Sequence, residues 1–433
     1  MYQLIKNGQV LIDGQLQKRD IAIDATGQIT AIEPTITAVP TDPETIYDAH
    51  GHFVSAGLID GHVHFRDPGF TTKETLKTGS AAVAHGGFTS VIAMPNLKPV
   101  PDNLLDFKTL VARNQAETSV HTYQFAPITN ELTEQTIVDM SAFKAAGAAG
   151  FTNDGHGVQT AQTMYQAMQM AAQINMPIVA HVEDESLVNG GVIHDGQAAK
   201  KLGVPGIASV SESAQVARDI ELARATGVHY HICHISTKET VNLVRRAKQD
   251  GLNVTCEVTP HHLLLDDSAI TSDNAMLKMN PPLRTLADRQ ALWAGLMDGT
   301  IDIIATDHAP HTTEEKQQSL LKAPFGIVGS ETAFSLLYTH LVANGPFSLA
   351  QLTSWLTTNP AHVFNLPHAG QLAVGQPADL AVFNLTDTTT IDANTFLSKG
   401  HNTPFIGEAV QGDTLLTLVA GQIAYQKECV ING

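Results

Sequence analysis

The chain has 433 residues, enough for a large core and for two or three domains, although a single barrel of about 250 residues or more counts as one. Hydrophobic residues make up 43% and charged ones 16%, no apolar run is long enough to span a bilayer, and Met1–Val10 has no charged-then-apolar leader, so a cytoplasmic protein is expected. A formal charge of −18 without a Lys/Arg cluster argues against a nucleic-acid or anionic-membrane surface, and three widely spaced cysteines, Cys233, Cys256 and Cys429, argue against a disulfide framework or a Cys-based zinc site.

In chain order, residues 1–53 hold short alternating stretches, Tyr2–Lys6, Gln9–Ile12, Ile21–Asp24 and Ile29–Ile32, split by Asn7-Gly8, Asp13-Gly14 and Thr26-Gly27, which predicts hairpins. From about Gly57 to Pro310 eight apolar strand candidates follow: Gly57–His64, Phe88–Met94, Val120–Ala126, Gly147–Phe151, Pro177–His181, Val228–His234, Leu252–Val258 and Ile301–Thr306. Helical stretches fall between them at Thr72–His85, Asn103–Ala116, Ala161–Ile174, Ser213–Thr226, Lys238–Gln249 and Asp288–Met297, several closed by a C-cap glycine at Gly86, Gly227, Gly251 or Gly299. Eight strand–helix units specify an α/β fold with a parallel (β/α)8 barrel. The C-terminal stretch resembles the N-terminal one, with strands at Ala378–Phe383 and Leu415–Val419 and a turn at Ala420-Gly421. Each end alone has few strands to bury a sheet face, so both termini are expected to build one small β-domain, 1–54 with 367–433, beside a catalytic barrel at 55–366.

The most informative stretch is Asp60-Gly-His-Val-His-Phe-Arg-Asp-Pro-Gly69, because side chains two apart on a strand share a face and His62 and His64 can grip one metal ion. Arg66 continues the alternation if the extended backbone persists, putting a cation beside the metal to hold a substrate carboxylate. An isolated His-x-His pair is weak, but the active face of such a barrel lies at the C-terminal strand ends, and the metal-type residues cluster there. His62 and His64 close strand one, Asp154 follows strand four, His181 ends strand five, His234 ends strand six and Asp307 ends strand eight. On strand six His229 and His231 share the opposite parity; His234 is preferred because it stands furthest toward the C-terminal end.

Four histidines and two aspartates suit two divalent ions, zinc by donor type, with Asp154 placed to bridge them. Asp307 could bind metal and also act as the general acid/base, while the ions lower the pKa of bound water toward about 7 and generate hydroxide for attack on an amide-like carbonyl.

These residues, with Met94-Pro-Asn96, Thr-Asn-Asp-Gly155, Thr259-Pro-His-His262, Lys278-Met-Asn-Pro-Pro282 and Ala305-Thr-Asp-His-Ala-Pro-His311 with Lys316, resemble the bacterial dihydroorotases of the amidohydrolase superfamily, of the separate-polypeptide type found in Gram-positive bacteria. The resemblance covers nearly the whole chain. It implies one metal on His62, His64 and Asp307, another on His181 and His234, Asp154 between them, and substrate contacts from His64, Arg66, Asn96, Asn280 and His311 with backbone help from Phe325-Gly326. It assigns His261 and His262 no role. Asn153 departs from the family's frequent Asp-Asp-Gly and leaves Asp154 as the one carboxylate there to bridge. The implied activity is reversible closure of N-carbamoyl-L-aspartate to L-dihydroorotate in pyrimidine biosynthesis, by a homodimer for which the resemblance allows an aspartate transcarbamoylase partner. The alternatives are another cyclic-amide hydrolase, such as a hydantoinase or allantoinase, and an inactive scaffold supporting a transcarbamoylase. Asp154 in place of a carboxylated lysine disfavours the first, and retention of all six ligands disfavours the second.

Overall fold

The structure, a computed structural model, describes residues 3–37 and 45–427. Tyr2 and Cys429 therefore lie outside the described residues. Eight parallel strands follow one another around a barrel: Leu58–Val63, Phe88–Ala93, His121–Pro127, Ala148–Thr152, Ile178–Ala180, Tyr230–Ile232, Val254–Val258 and Ile303–Ile304. Most of their residues are buried, as befits strands covered on both faces. The last strand meets the first through a parallel bridge between Val63 and His308. Buried Asp60 reinforces that seam, accepting hydrogen bonds from the Thr306 backbone N–H at 3.0 Å and its hydroxyl at 2.5 Å.

Local chemistry sets the helices. Leu76–His85 and Leu286–Met297 begin in capping boxes, Thr75 with Thr78 and Thr285 with Asp288. Thr72 and Asp288, expected as first helical residues, are thus a turn residue and the third residue of its helix. The left-handed residue after Leu76–His85 is Gly87, while Gly86 stays right-handed; Gly227, Gly251 and Gly299 are left-handed as expected of helix stops.

The apolar run Val54–Ile59 is divided between two sheets. Phe53–Ala56 belongs to a second sheet, Leu58–Val63 to the barrel, and Gly57 makes the crossing where any Cβ would lie 2.0 Å from the Thr89 hydroxyl. That second sheet draws on both chain ends: Phe53–Ala56 pairs antiparallel with Leu380–Asn384, which continues to Asp413–Val419 and Gln422–Gln426, while Gln3–Ile12, Gln15–Ile23 and Ile29–Glu33 extend the other side. Ile5, Ile21, Ile23, Val54, Leu380, Leu416 and Leu418 share one core, so each end buries the other's apolar face. Asn7-Gly8 is not a turn. Gln3–Ile12 is one strand with a bulge there, because left-handed Asn7 kinks the ladder without ending it. Phe383 stacks on Phe334 at 3.8 Å between centroids and joins this sheet to the barrel. No helix among the described residues is long and apolar enough to cross a membrane.

Candidate metal centre and substrate cleft

The six ligand-type side chains come from five strand ends at one mouth of the barrel, and the backbone there leaves regular geometry. His234 (φ 31°) and Asp307 (φ 50°) are left-handed, which turns their side chains back over the barrel mouth. For His234 this break sets it apart from His229 and His231. Arg66 is also left-handed (φ 59°), since the first strand ends at Val63; the extended alternation expected for it does not occur, and it reaches the cleft through this turn.

The nitrogens and oxygens converge. Asp154 Oδ1 lies 3.5 Å from His62 Nε2, 3.8 Å from His181 Nδ1 and 3.7 Å from His234 Nε2, and its Oδ2 lies 3.5 Å from His64 Nε2. Asp307 Oδ1 is 3.0 Å from His64 Nε2 and 3.4 Å from His62 Nε2. Two donors about 2.1 Å from one tetrahedral metal ion stand about 3.4 Å apart, and these separations of 3.0–3.8 Å are of that size. His62 Nε2 and Asp154 Oδ1 are buried and have no hydrogen-bond partner among the described residues. His181 Nδ1 and His234 Nε2 face each other at 3.2 Å. Both observations fit donors that share cations.

Neighbours fix the tautomers that leave those atoms free to coordinate. His62 Nδ1 lies 2.7 Å from Glu257 Oε1, so it donates there and presents Nε2 inward; His64 Nδ1 does the same to Asn96 Oδ1 at 2.9 Å. The other face of His181 meets Glu183 Oε2 at 3.7 Å and Asn280 Nδ2 at 3.5 Å. Glu257 also binds His231 Nε2 at 3.0 Å. Sequence reasoning passed over Glu257, although it is the only charged residue in the apolar stretch Val254–Val258 and that was a readable signal.

The field favours positive charge. Burial opposes ionisation, yet the histidines around them, His62 foremost, hold the Asp154 and Asp307 carboxyls below the usual range, and against burial Asp154, Asp307 and Glu257 raise His62. Burial opposes Glu257 too, but His62 and His231 bring it down to about 2.

His64, Arg66, Asn96, Asp154, His181, His234, Asn280, Asp307, His311, Phe325 and Gly326 line a cleft of about 640 Å³, with His62 buried beneath. Arg66 gives only its Nε, to the Pro310 carbonyl at 3.4 Å; it forms no salt bridge among the described residues and leaves the guanidinium fork for an anion. His311 donates from Nε2 to the Phe325 carbonyl at 2.7 Å, and burial with Arg66 and Lys73 pushes its ring down to about 2. Asn96 Nδ2 is turned to Asp154 at 3.2 Å, and Asn280 Nδ2 to Glu183 at 3.0 Å. Gly326 spends its N–H on the Lys278 carbonyl and its own carbonyl on Lys316, so the Phe325-Gly326 backbone is held within the protein on those sides. Asn153 points away from the site: its carbonyl accepts from Ile128 and Thr129 N–H, and its amide donates to Thr129 Oγ1. His262 is tied between Thr259 and the Pro281 carbonyl.

Comparison with known proteins supplies the family. Residues 51–240 match the family described as dihydro-orotase-like. A curated dihydroorotase of Latilactobacillus sakei is 80% identical over 427 residues, 99% of this chain and 100% of the relative. The dihydroorotase of Enterococcus faecalis is 54% identical over 99% of this chain and 100% of its own length. Among solved structures the L-hydantoinase (dihydropyrimidinase) from Arthrobacter aurescens superposes with a TM-score of 0.87 at 27% identity, covering 100% of this chain and 98% of that one. The hydantoinase shares the scaffold, but four-fifths identity sustained over almost the whole of both chains is found with a dihydroorotase, and this chain belongs to the dihydroorotase family.

Proposed function

We propose that the chain is a zinc-dependent dihydroorotase that interconverts N-carbamoyl-L-aspartate and L-dihydroorotate in pyrimidine synthesis. The observation that carries the reading is Arg66: a guanidinium without an acidic partner among the described residues, in the same cleft as the six ligand-type side chains, selects a cyclic amide that bears a carboxylate. Hydantoin and allantoin offer it no such group. The donor set suits two zinc ions: His62, His64 and Asp307, whose donor atoms cluster, would hold one, and His181 with His234, 3.2 Å apart, would hold the other, with Asp154 available to both. When bound, such ions polarise a carbonyl oxygen and acidify water.

The protein's part is positioning and proton transfer. Arg66 clamps the carboxylate, Asn96 holds His64 and Asp154 in register, and Asn280 and His311 line the same cleft as further contacts for the substrate. Asp307, kept ionised by its histidines, takes the proton from attacking water in hydrolysis and gives it to the departing ring nitrogen; in ring closure it returns that proton to the leaving water. Ring amide plus water gives a carboxylate and releases a proton near neutral pH, so hydrolysis is favoured as pH rises and cyclisation as pH falls, while Asp307→Asn should nearly abolish both. Activity near wild type in Asp307→Asn would remove Asp307 from that role. Turnover of dihydroorotate against hydantoin and allantoin, with metal analysis of the same preparation, tests the substrate and the zinc. We read 1–54 with 367–433 as support for a catalytic 55–366, and a cytoplasmic homodimer as the working form, open to a transcarbamoylase partner.

A further inference from the structure

Residues 398–402 leave the barrel far behind in sequence and return to the cleft. Ser398 donates its hydroxyl to Glu74, Gly400 packs so closely on Pro310 that a Cβ would lie 2.7 Å from the proline side chain, and Pro310 is the residue whose carbonyl holds Arg66. Asn402, 2% exposed, then spends its whole carboxamide on the cleft wall. Its Oδ1 accepts from the His311 N–H at 3.0 Å, and its Nδ2 donates to the carbonyls of Ala309 at 3.0 Å and Gly326 at 3.1 Å. The Gly326 carbonyl is shared with buried Lys316, whose ammonium reaches it at 2.9 Å and also binds the carbonyls of Lys278 and Pro324.

We propose that Asn402 is a positioning residue for substrate: it locks His311 and Gly326, two residues of the substrate wall, to a strap supplied by the C-terminal part of the chain. An amide is required because one end must accept while the other donates twice. A carboxylate of the same shape would face two carbonyl oxygens and repel both. No metal ligand bonds to Asn402, so the metal centre is left alone and the effect falls on substrate binding. The proposal rests on the dihydroorotase reading.

The test uses the full-length, metal-loaded enzyme with Asn402→Ala and Asn402→Asp, measuring KM and kcat for dihydroorotate, metal content and the thermal midpoint. Loss of the wall's anchor should raise KM about tenfold in Asn402→Ala and further in Asn402→Asp, with kcat within about threefold of wild type. Metal content should match wild type, and KM should stay raised at temperatures well below each variant's midpoint. An unchanged KM, or a fall in kcat with KM intact, overturns the proposal. Should both variants fail to fold, Lys316→Met frees the same Gly326 carbonyl from its other donor and must raise KM likewise; an unchanged KM there overturns the proposal as well. A wild-type enzyme inactive on dihydroorotate would instead overturn the function it rests on.

Discussion

Arg66 owes its position to a left-handed backbone and a single carbonyl contact, so its planar fork is free for an anion. Arg66→Lys replaces that fork by a point charge and should lower kcat/KM for dihydroorotate on the order of 10-fold to 100-fold, with metal content normal. An unchanged kcat/KM would take Arg66 out of the site. Asp154 brings a permanent carboxylate within 3.8 Å of the ring nitrogens of four histidines, and no lysine among the described residues lines the cleft. Metal-stripped enzyme should therefore recover with zinc alone, and a strict bicarbonate requirement would contradict this. Asp154→Ala should lose metal and activity together, because cations without a shared anion repel strongly in a partly dry pocket.

At the scale of elements, the barrel strands were legible because burial on both faces makes them continuous apolar runs, and the helices because their caps are written in Thr, Asp and Gly. The candidate ligand positions were legible for the same reason, each being a polar residue where an apolar run stops. What escaped depends on backbone dihedrals or on partners distant in sequence. Asn7-Gly8 has the chemistry of a turn and of a bulge alike, and only pairing with Gln15–Ile23 chooses between them. The left-handed turn at Arg66 has no glycine to announce it. Glu257 acquires its role only when the barrel brings its strand beside His62 and His231. Glu257→Gln keeps the shape but removes the charge that steadies His62, so zinc affinity measured by chelator competition should fall about 10-fold to 100-fold with the fold intact. An unaltered affinity would reduce Glu257 to a packing residue.

Across the whole molecule, some histidines outside the candidate ligand set are kept neutral by the fold, half-buried His229 and buried His262 among them. Burial, with His231 and His362, lowers His229 to about 4, and burial brings His262 to about 3. A histidine depressed in the folded state stays neutral there while the unfolded chain takes the proton. Its stabilising contribution is full above pH 6.5, falls as pH drops from 6.5 to about 4 for His229, and changes no further below that. His229→Gln should therefore lose less stability than wild type between pH 7 and pH 4, by roughly 3 kcal/mol, as read from denaturant midpoints; equal losses would contradict the shift. The sheet shared by the two chain ends also bears on the ribosome. Phe53–Ala56 is made early, but its partner Leu380–Asn384 emerges only after more than 300 further residues, tens of seconds at about 5–20 residues per second. Until then the nascent chain carries an open strand edge, and the stretch that delivers Asn402 does not yet exist, so a completed barrel waits for the last part of translation before its substrate wall can set.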